Sequence, residues 1–150
     1  MQSIEEAIQQ LKFQSNMHKA QVNVLYTASV IDAATTQMLK PYGISPQQYN
    51  ILRILKGSHP KTASIKYLTE RMLDRMSNAS RLVDKLKAKG LVERIECPND
   101  RRQVEISITE KGMDVLVKAS AEMQKSRSEE IFLTEEEAGI LSDLLDRFRG

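Results

Sequence analysis

A chain of 150 residues with 41% hydrophobic and 28% charged residues has the balance of a folded domain, which excludes disorder as its resting state. The single cysteine, Cys97, excludes a disulfide framework and a cysteine-rich zinc cluster, and no run approaches the ~18 consecutive apolar residues of a membrane span. The net charge of +2 is too small to imply a polyanion partner by itself, so the distribution of charge matters more than its sum.

The amino terminus, MQSIEEAIQQ, has neither the basic start nor the apolar run of a secretory signal. With the lone thiol, this predicts a cytoplasmic protein with no membrane partner. Ile4, Ala7, Ile8 and Leu11 recur at helical spacing and predict a short amphipathic helix from Ile4 to Leu11. A longer helix is expected from about Lys19 to Lys40, with a stripe of Val22, Leu25, Ala28, Ser29, Asp32 and Thr36, stopped by Pro41 and Gly43. Ser45-Pro46 reads as an N-cap with proline at the first helical position. Tyr49, Leu52 and Leu55 form the buried face of the helix that follows, which Gly57 ends, and HPKTAS is read as a polar connection.

Ser64 caps a short helix with Ile65, Leu68 and Met72 on its apolar face. After a break at Leu73-Asp74 a further helix is expected, with Asp74 as its cap, Ala79, Leu82, Val83 and Leu86 inward, and Gly90 at its end. Two helices joined by so short a turn must cross steeply, the helix-turn-helix arrangement. The period then changes to two. LVERIEC and QVEISI form the arms of a β-hairpin, with Ile95 and Cys97 on one inward side and Val104, Ile106 and Ile108 inward from the other arm, and Pro98 to Arg102 make the turn. Thr109 caps a helix running toward Arg127, with Met113, Leu116, Val117, Ser120 and Met123 along its stripe. The last helix starts at Thr134, which with Glu137 makes a capping box, and Ile140, Leu141, Leu144, Leu145 and Phe148 are its apolar face.

The fold class is therefore mainly α with a small β-hairpin (α+β): a winged helix-turn-helix core over about residues 45–112, with helical regions at 1–40 and 113–150. Residues 61–112 hold 12 Lys and Arg against 8 Asp and Glu, a net +4, while the remainder holds 10 against 12, a net −2. Each part of the basic middle suits duplex DNA. The major groove admits one helix, whose polar side chains meet donors and acceptors on the base edges. Ser77, Asn78, Ser80, Arg81 and Lys85 supply that face, with Arg75 ahead of it. A narrow hairpin can lay Arg101 and Arg102 along the minor groove, where negative potential attracts arginine, and Asp100 braces one of those guanidiniums by a two-pronged hydrogen bond. Taken alone, Arg101 and Arg102 read more simply as a solvated turn than as a DNA contact, whereas for Arg75 and Lys85 a solvated helix face stands equally beside DNA contact. The order of the elements favours DNA. Lys87 and Lys89, at a helix C-terminus, are assigned to complementing its dipole.

The run LTERMLDRMSNASRLVDKLKAKGLVERIECPNDRRQVEISITEKG resembles the multiple antibiotic resistance regulator (MarR) family of bacterial transcription factors. The family pattern of Gly-Leu-Val-x-Arg, Asp-x-Arg in the wing and Thr-x-x-Gly after it is met by Gly90, Leu91, Val92, Arg94, Asp100, Arg102, Thr109 and Gly112. One departure is Leu73-Asp74-Arg75-Met76, which replaces the common Gly-Val-Ser-x start of the recognition helix. The resemblance implies a homodimer with intertwined first and last helices, a pseudo-palindromic operator in double-stranded DNA, action usually as a repressor, and release by a small, often aromatic or phenolic effector. It implies no cofactor, and leaves the effector's contact residues unknown.

A homodimer also follows from the residues themselves. The helices at 4–11, 113–127 and 134–148 carry apolar stripes beside a winged core that is complete without them, so a second copy is expected to cover those stripes. The alternative is a winged-helix module that binds an acidic protein without preference among DNA sequences. An enzyme is not expected: the chain has no phosphate loop, dinucleotide fingerprint, nucleophile elbow or His-Glu metal motif. Cys97, inward beside Ile95, is read as a small core hydrophobe rather than an oxidant sensor, and the peroxide-sensing members of the resembled family carry their cysteine near the amino terminus. His18 and His59 are too isolated to hold a metal.

Overall fold

Local hydrogen bonding decides where each helix of the computed structural model starts and stops. The model describes residues 2–97, 100–130 and 132–150, of which 96–97, 100–103 and 126–130 are described by their backbone alone. The first helix, α1 (Ile4–Ala7), opens with a capping box in which Ser3 Oγ accepts the Glu6 N–H and the Glu6 carboxylate accepts the Ser3 N–H. It is shorter than its periodicity suggests. Gln9 takes φ 55° and the Gln10 N–H donates to Glu5 O at 3.0 Å, a left-handed closure that leaves Leu11 exposed.

Helix α2 (Asn16–Leu39) starts earlier than its apolar stripe, because Ser15 Oγ accepts the His18 N–H. A 3₁₀ turn at Lys40–Tyr42 ends it around Pro41. Helix α3 (Pro46–Ser58) has the expected Ser45 cap and runs one residue past Gly57. Ala63–Ser64, within the stretch read as a connection, is a short strand, β1, and Ser64 also caps α4 (Ile65–Arg71). Helix α5 (Ala79–Ala88), strands β2 (Val92–Cys97) and β3 (Asp100–Ile108), and helices α6 (Glu110–Glu130) and α7 (Glu135–Arg149) complete the order. The three strands form an antiparallel sheet in the order β1-β3-β2, with Ala63 opposite Ile106 and Arg94 opposite Ile106 from the other side.

One core holds the winged unit together. Tyr49, Ile51, Leu52 and Leu55 of α3 meet Leu68 of α4, Ala79, Val83 and Leu86 of α5, and Val92, Ile106 and Ile108 of the sheet. The core reaches beyond residue 112. Leu116, Ala119 and Met123 of α6 are buried in it, and the Tyr49 hydroxyl lies 2.9 Å from Ser120 Oγ. The first half of α6 therefore belongs to the core rather than lying outside it. Ile95 is 44% exposed: inward positions on β2 are Val92 and Arg94, so the alternation is offset by one from its expected phase. Cys97's side chain lies outside the described residues.

The wing is closed at its base by a clasp between the end of α5 and the start of α6. Gly90, at φ 71°, ends α5, with its N–H donating to Lys87 O and the Leu91 N–H to Leu86 O. Thr109 returns to this corner. Its N–H donates to Leu91 O at 3.1 Å, its hydroxyl donates to Gly90 O at 2.8 Å, and the same oxygen accepts the Gly112 N–H at 3.0 Å. Gly112 is pressed against the corner so closely that a Cβ there would lie 2.1 Å from Leu91 O and 2.9 Å from Ile108 Cγ1. Only glycine fits without moving the backbone. Gly112→Ala is thus expected to lower stability by roughly 1–3 kcal/mol or more, the usual cost of overpacking, seen as a lower urea midpoint. An unchanged midpoint would show that the corner yields without cost.

Candidate nucleic-acid interface

Chain geometry ahead of α5 is set by side chains that accept backbone N–H groups. Asn50 Oδ1, on α3, accepts the Leu73 N–H at 2.9 Å. Asp74 Oδ1 accepts the Met76 N–H at 2.9 Å, and Asp74 Oδ2 accepts the Ser77 hydroxyl at 2.7 Å. Asp74 therefore braces a turn over residues 72–78 instead of capping the helix. The cap is Asn78, whose Oδ1 accepts the Arg81 N–H at 3.0 Å. Asn and Asp compete for this role in any such sequence, and only three intervening residues separate the two candidates. Arg75 and Ser77 consequently stand in the turn, Asn78 at the helix start, and Ser80, Arg81 and Lys85 on the helix itself.

At about 100° per residue, the buried Ala79, Val83 and Leu86 place Arg81 on the outermost line of α5. Ser80 and Asp84 lie on one flank and Lys85 on the other. Arg75, Asn78, Ser80, Arg81 and Lys85 are all exposed. Ser80 borders a cleft of about 630 Å³ with Ser64, Lys66, Arg94 and Glu105, between the helix start and the sheet. Lys85 borders another, of about 560 Å³, with Lys40 and Lys89. Asp84 is taken up by an ion pair with Arg94 Nη2 at 2.8 Å, which ties α5 to β2. Being partly exposed, the pair contributes about 0–1 kcal/mol, so its value is orientation.

Lys89 does more than complement a helix end. Its ammonium donates to Gly43 O and, at 3.0 Å, to Oε1 of the buried Gln48. It thus anchors the C-terminus of α5 to the turn before α3. Periodicity gave no sign of this contact, which joins residues far apart in sequence. The ties made by Asn50 and Arg94 were likewise invisible as ties, although Arg94 stood out as a motif residue.

In the wing, Glu96 pairs with Val104 while Cys97 pairs with Asp100, a register shift that leaves Arg101, Arg102 and Gln103 without partners among the described residues of the hairpin. Asp100, Arg101 and Arg102 belong to the start of β3 rather than to the turn. Pro98 and Asn99, and the side chains of Asp100, Arg101 and Arg102, lie outside the described residues, and with them the Asp100 brace. The sheet below is held by cross-strand pairs: Ser107 Oγ donates to Glu93 at 2.8 Å, and Thr62 Oγ1 to Glu105 at 2.7 Å. Among the described residues, no His, Cys, Asp and Glu side chains are grouped so as to hold a metal, and no helix is long and apolar enough to cross a membrane.

A polar, basic helix presented beside a three-stranded wing defines a winged helix-turn-helix protein. Residues 42–103 match the model of the MarR family. The chain is 30% identical over 112 residues to the HTH-type transcriptional regulator MhqR of Bacillus subtilis (strain 168), covering 71% of this chain and 72% of that one; it belongs to the MarR family. It is also 32% identical over 80 residues to the transcriptional repressor MprA of Escherichia coli (strain K12), a match over 53% of this chain that spans about half, 46%, of that relative. In fold it resembles the organohalide sensing RdhR-CbdbA1625 transcriptional regulator in the 2,4-dichlorophenol bound form, with a TM-score of 0.82 and 22% identity over 93% of this chain and 83% of that one.

Asp74 offers a direct check on the turn. Its carboxyl is held below the ordinary aspartate value of 3.8, first by the Ser77 hydroxyl and then by the Met76 N–H. Because the folded-state pKa is depressed, the contribution of this group is fully present above the unfolded value and is lost as the pH falls through the folded one. Ser77→Ala is expected to move the Asp74 carboxyl back toward its ordinary value in a carbon-detected NMR titration. An unmoved titration would mean that the hydroxyl is not the main donor to the carboxylate.

Proposed function

We propose that the protein is a homodimeric, sequence-specific DNA-binding transcription regulator, a repressor of a pseudo-palindromic operator that is released by a small aromatic or phenolic effector. The observation that carries the reading is the exposed set Arg75, Asn78, Ser80 and Arg81 at the start of a helix whose turn, flank and far end are each fixed to the core. Ser77, Lys85, Asp100, Arg101 and Arg102 complete the proposed contact surface. Ser77, Asn78, Ser80 and Arg81 address base edges in the major groove. Arg101 and Arg102 enter the adjoining minor groove, and Lys85 contacts phosphate.

Dimerisation is supported by what the single chain leaves uncovered. Helix α7 buries none of its residues, and Ile140, Leu141, Leu144 and Phe148 are all 42–54% exposed. Along α2, Leu25 and Ile31 are 65% and 60% exposed. A second copy would cover these faces and set two recognition helices about 34 Å apart, one turn of DNA. The effector reading is supported by the dichlorophenol held by the similar RdhR-CbdbA1625 regulator. A cleft of about 620 Å³ between α3 and α6, lined by Tyr49, Arg53, Lys56 and Ser120 among others, has the size for such a molecule.

The test is selection of bound duplexes from sheared genomic DNA, followed by gel shifts across a salt series. Parent protein is expected to enrich a symmetric site. Arg102→Ala should weaken binding to all sequences and flatten the salt slope by about one unit. Asn78→Ser, which keeps a capping oxygen, should reduce discrimination between sites more than affinity. Variants that shift an operator fragment as the parent does would overturn the groove assignments, and a stable folded monomer of 17.0 kDa in sedimentation at micromolar concentration would overturn the dimer. Salt-sensitive binding to acidic protein without preference among duplexes would favour the interaction-module reading instead.

A further inference from the structure

Directly ahead of the recognition helix the chain exposes two large apolar side chains, Leu73 at 87% and Met76 at 93%. An isolated exposed apolar residue needs no explanation. Met76 differs in its setting. It stands in a turn with little freedom: the N–H groups of Leu73 and Met76 and the hydroxyl of Ser77 are all held by Asn50 or Asp74, the Ser77 N–H donates to Asp74 O at 3.2 Å, and Asn78 begins α5 two residues later. The backbone at Met76 is thus fixed by its own N–H while its side chain is left in water. It is flanked by the polar and basic Arg75, Ser77 and Asn78, with Ser80 and Arg81 one turn on.

The N-terminal end of a recognition helix is the part that meets base edges. Besides hydrogen-bond donors and acceptors, those edges in the major groove carry ring C–H groups and one larger apolar group, the thymine C5-methyl. An unbranched thioether carried on a rigid turn beside hydrogen-bonding neighbours is the complement of that one apolar group, and its flexible χ angles let it follow the methyl's position. We propose that Met76 is a specificity-determining residue that reads the thymine C5-methyl in each half-site of the DNA. The inference rests on the DNA-binding reading above, and assigns Met76 a role that its own hydrogen-bonding neighbours cannot perform.

Uracil pairs as thymine does and lacks only the methyl, so it isolates the contact. A duplex enriched by the parent from a random pool would be synthesised with thymine and again with uracil at single positions of each half-site, and titrated with the parent, Met76→Gln and Met76→Ala. Since burying one methylene-sized group alters affinity about fourfold, the parent is expected to lose roughly fourfold per contacted methyl at one symmetric pair of positions. Both variants should show less than a twofold difference between the two duplexes. Met76 is almost wholly exposed, so both variants should keep the parent's circular dichroism. Tight binding by the parent with no uracil effect anywhere, or a uracil penalty undiminished in Met76→Gln and Met76→Ala, would overturn this role while leaving DNA binding intact. Failure of the parent to enrich any duplex would overturn both.

Discussion

Everything the wing and recognition helix can do depends on the corner where Gly112 lies beneath Leu91 O. There the chain leaves α5, runs out and back through β2 and β3, and returns to within 3.1 Å of its starting point at Thr109. A hairpin hinged at one end would swing relative to the helix. Here Gly90 and Leu91 accept both hydrogen bonds that Thr109 can donate, and Lys111 Nζ adds a third to Lys89 O at 2.9 Å. The hairpin leaves and re-enters the core at one fixed point. Close packing against Ile108 then makes the position intolerant of even one added carbon.

From that corner, rigidity extends along α5 through contacts that are each modest in energy but differ in direction. Lys89 holds the helix end to Gly43 and Gln48, Asp84 holds one flank to Arg94, and Asn78 closes the start. Helix ends carry unpaired backbone groups that must be satisfied somewhere. At the start of α5 the Asn78 side chain accepts the Arg81 N–H, and the Ser80 and Arg81 side chains are left facing outward. Such preorganisation lowers the ordering cost that a partner would otherwise have to offset on binding.

The sequence showed elements more clearly than it showed their joints. Helices whose caps are local, Ser45-Pro46 for α3, Ser64 for α4 and Thr134 with Glu137 for α7, were legible because the capping residue and the helix are neighbours in the chain. The inward set of α5 and of β3 was legible from period alone. What escaped was decided by competition or by distance. Asp74 and Asn78 are both good caps, and only the hydrogen bonds that Asp74 makes within its own turn reveal which one closes the helix. Two-residue strands such as β1 have no period to detect, and Ile95 faces outward because Val92, buried opposite Ile108, sets the phase of β2 and carries Arg94 to the inner side. Lys89 looked like any lysine at a helix end, since its acceptors, Gly43 and Gln48, lie 46 and 41 residues away.

The apolar faces of α2 and α7 give the molecule its second organising feature, because a winged unit that is internally satisfied still carries helices that are not. Two copies joined through those faces would hold two rigid reading heads in a fixed mutual relation, so the spacing of contacts on DNA becomes a property of the protein's fold. Hydroxyl-radical footprinting of an enriched duplex measures that relation directly. A mirror-symmetric footprint is expected, with two protected major-groove segments about one helical turn apart, each bordered on its outer side by minor-groove protection from the wing. A single unsymmetrical block of protection, or major-groove contacts with no flanking minor-groove protection, would contradict it.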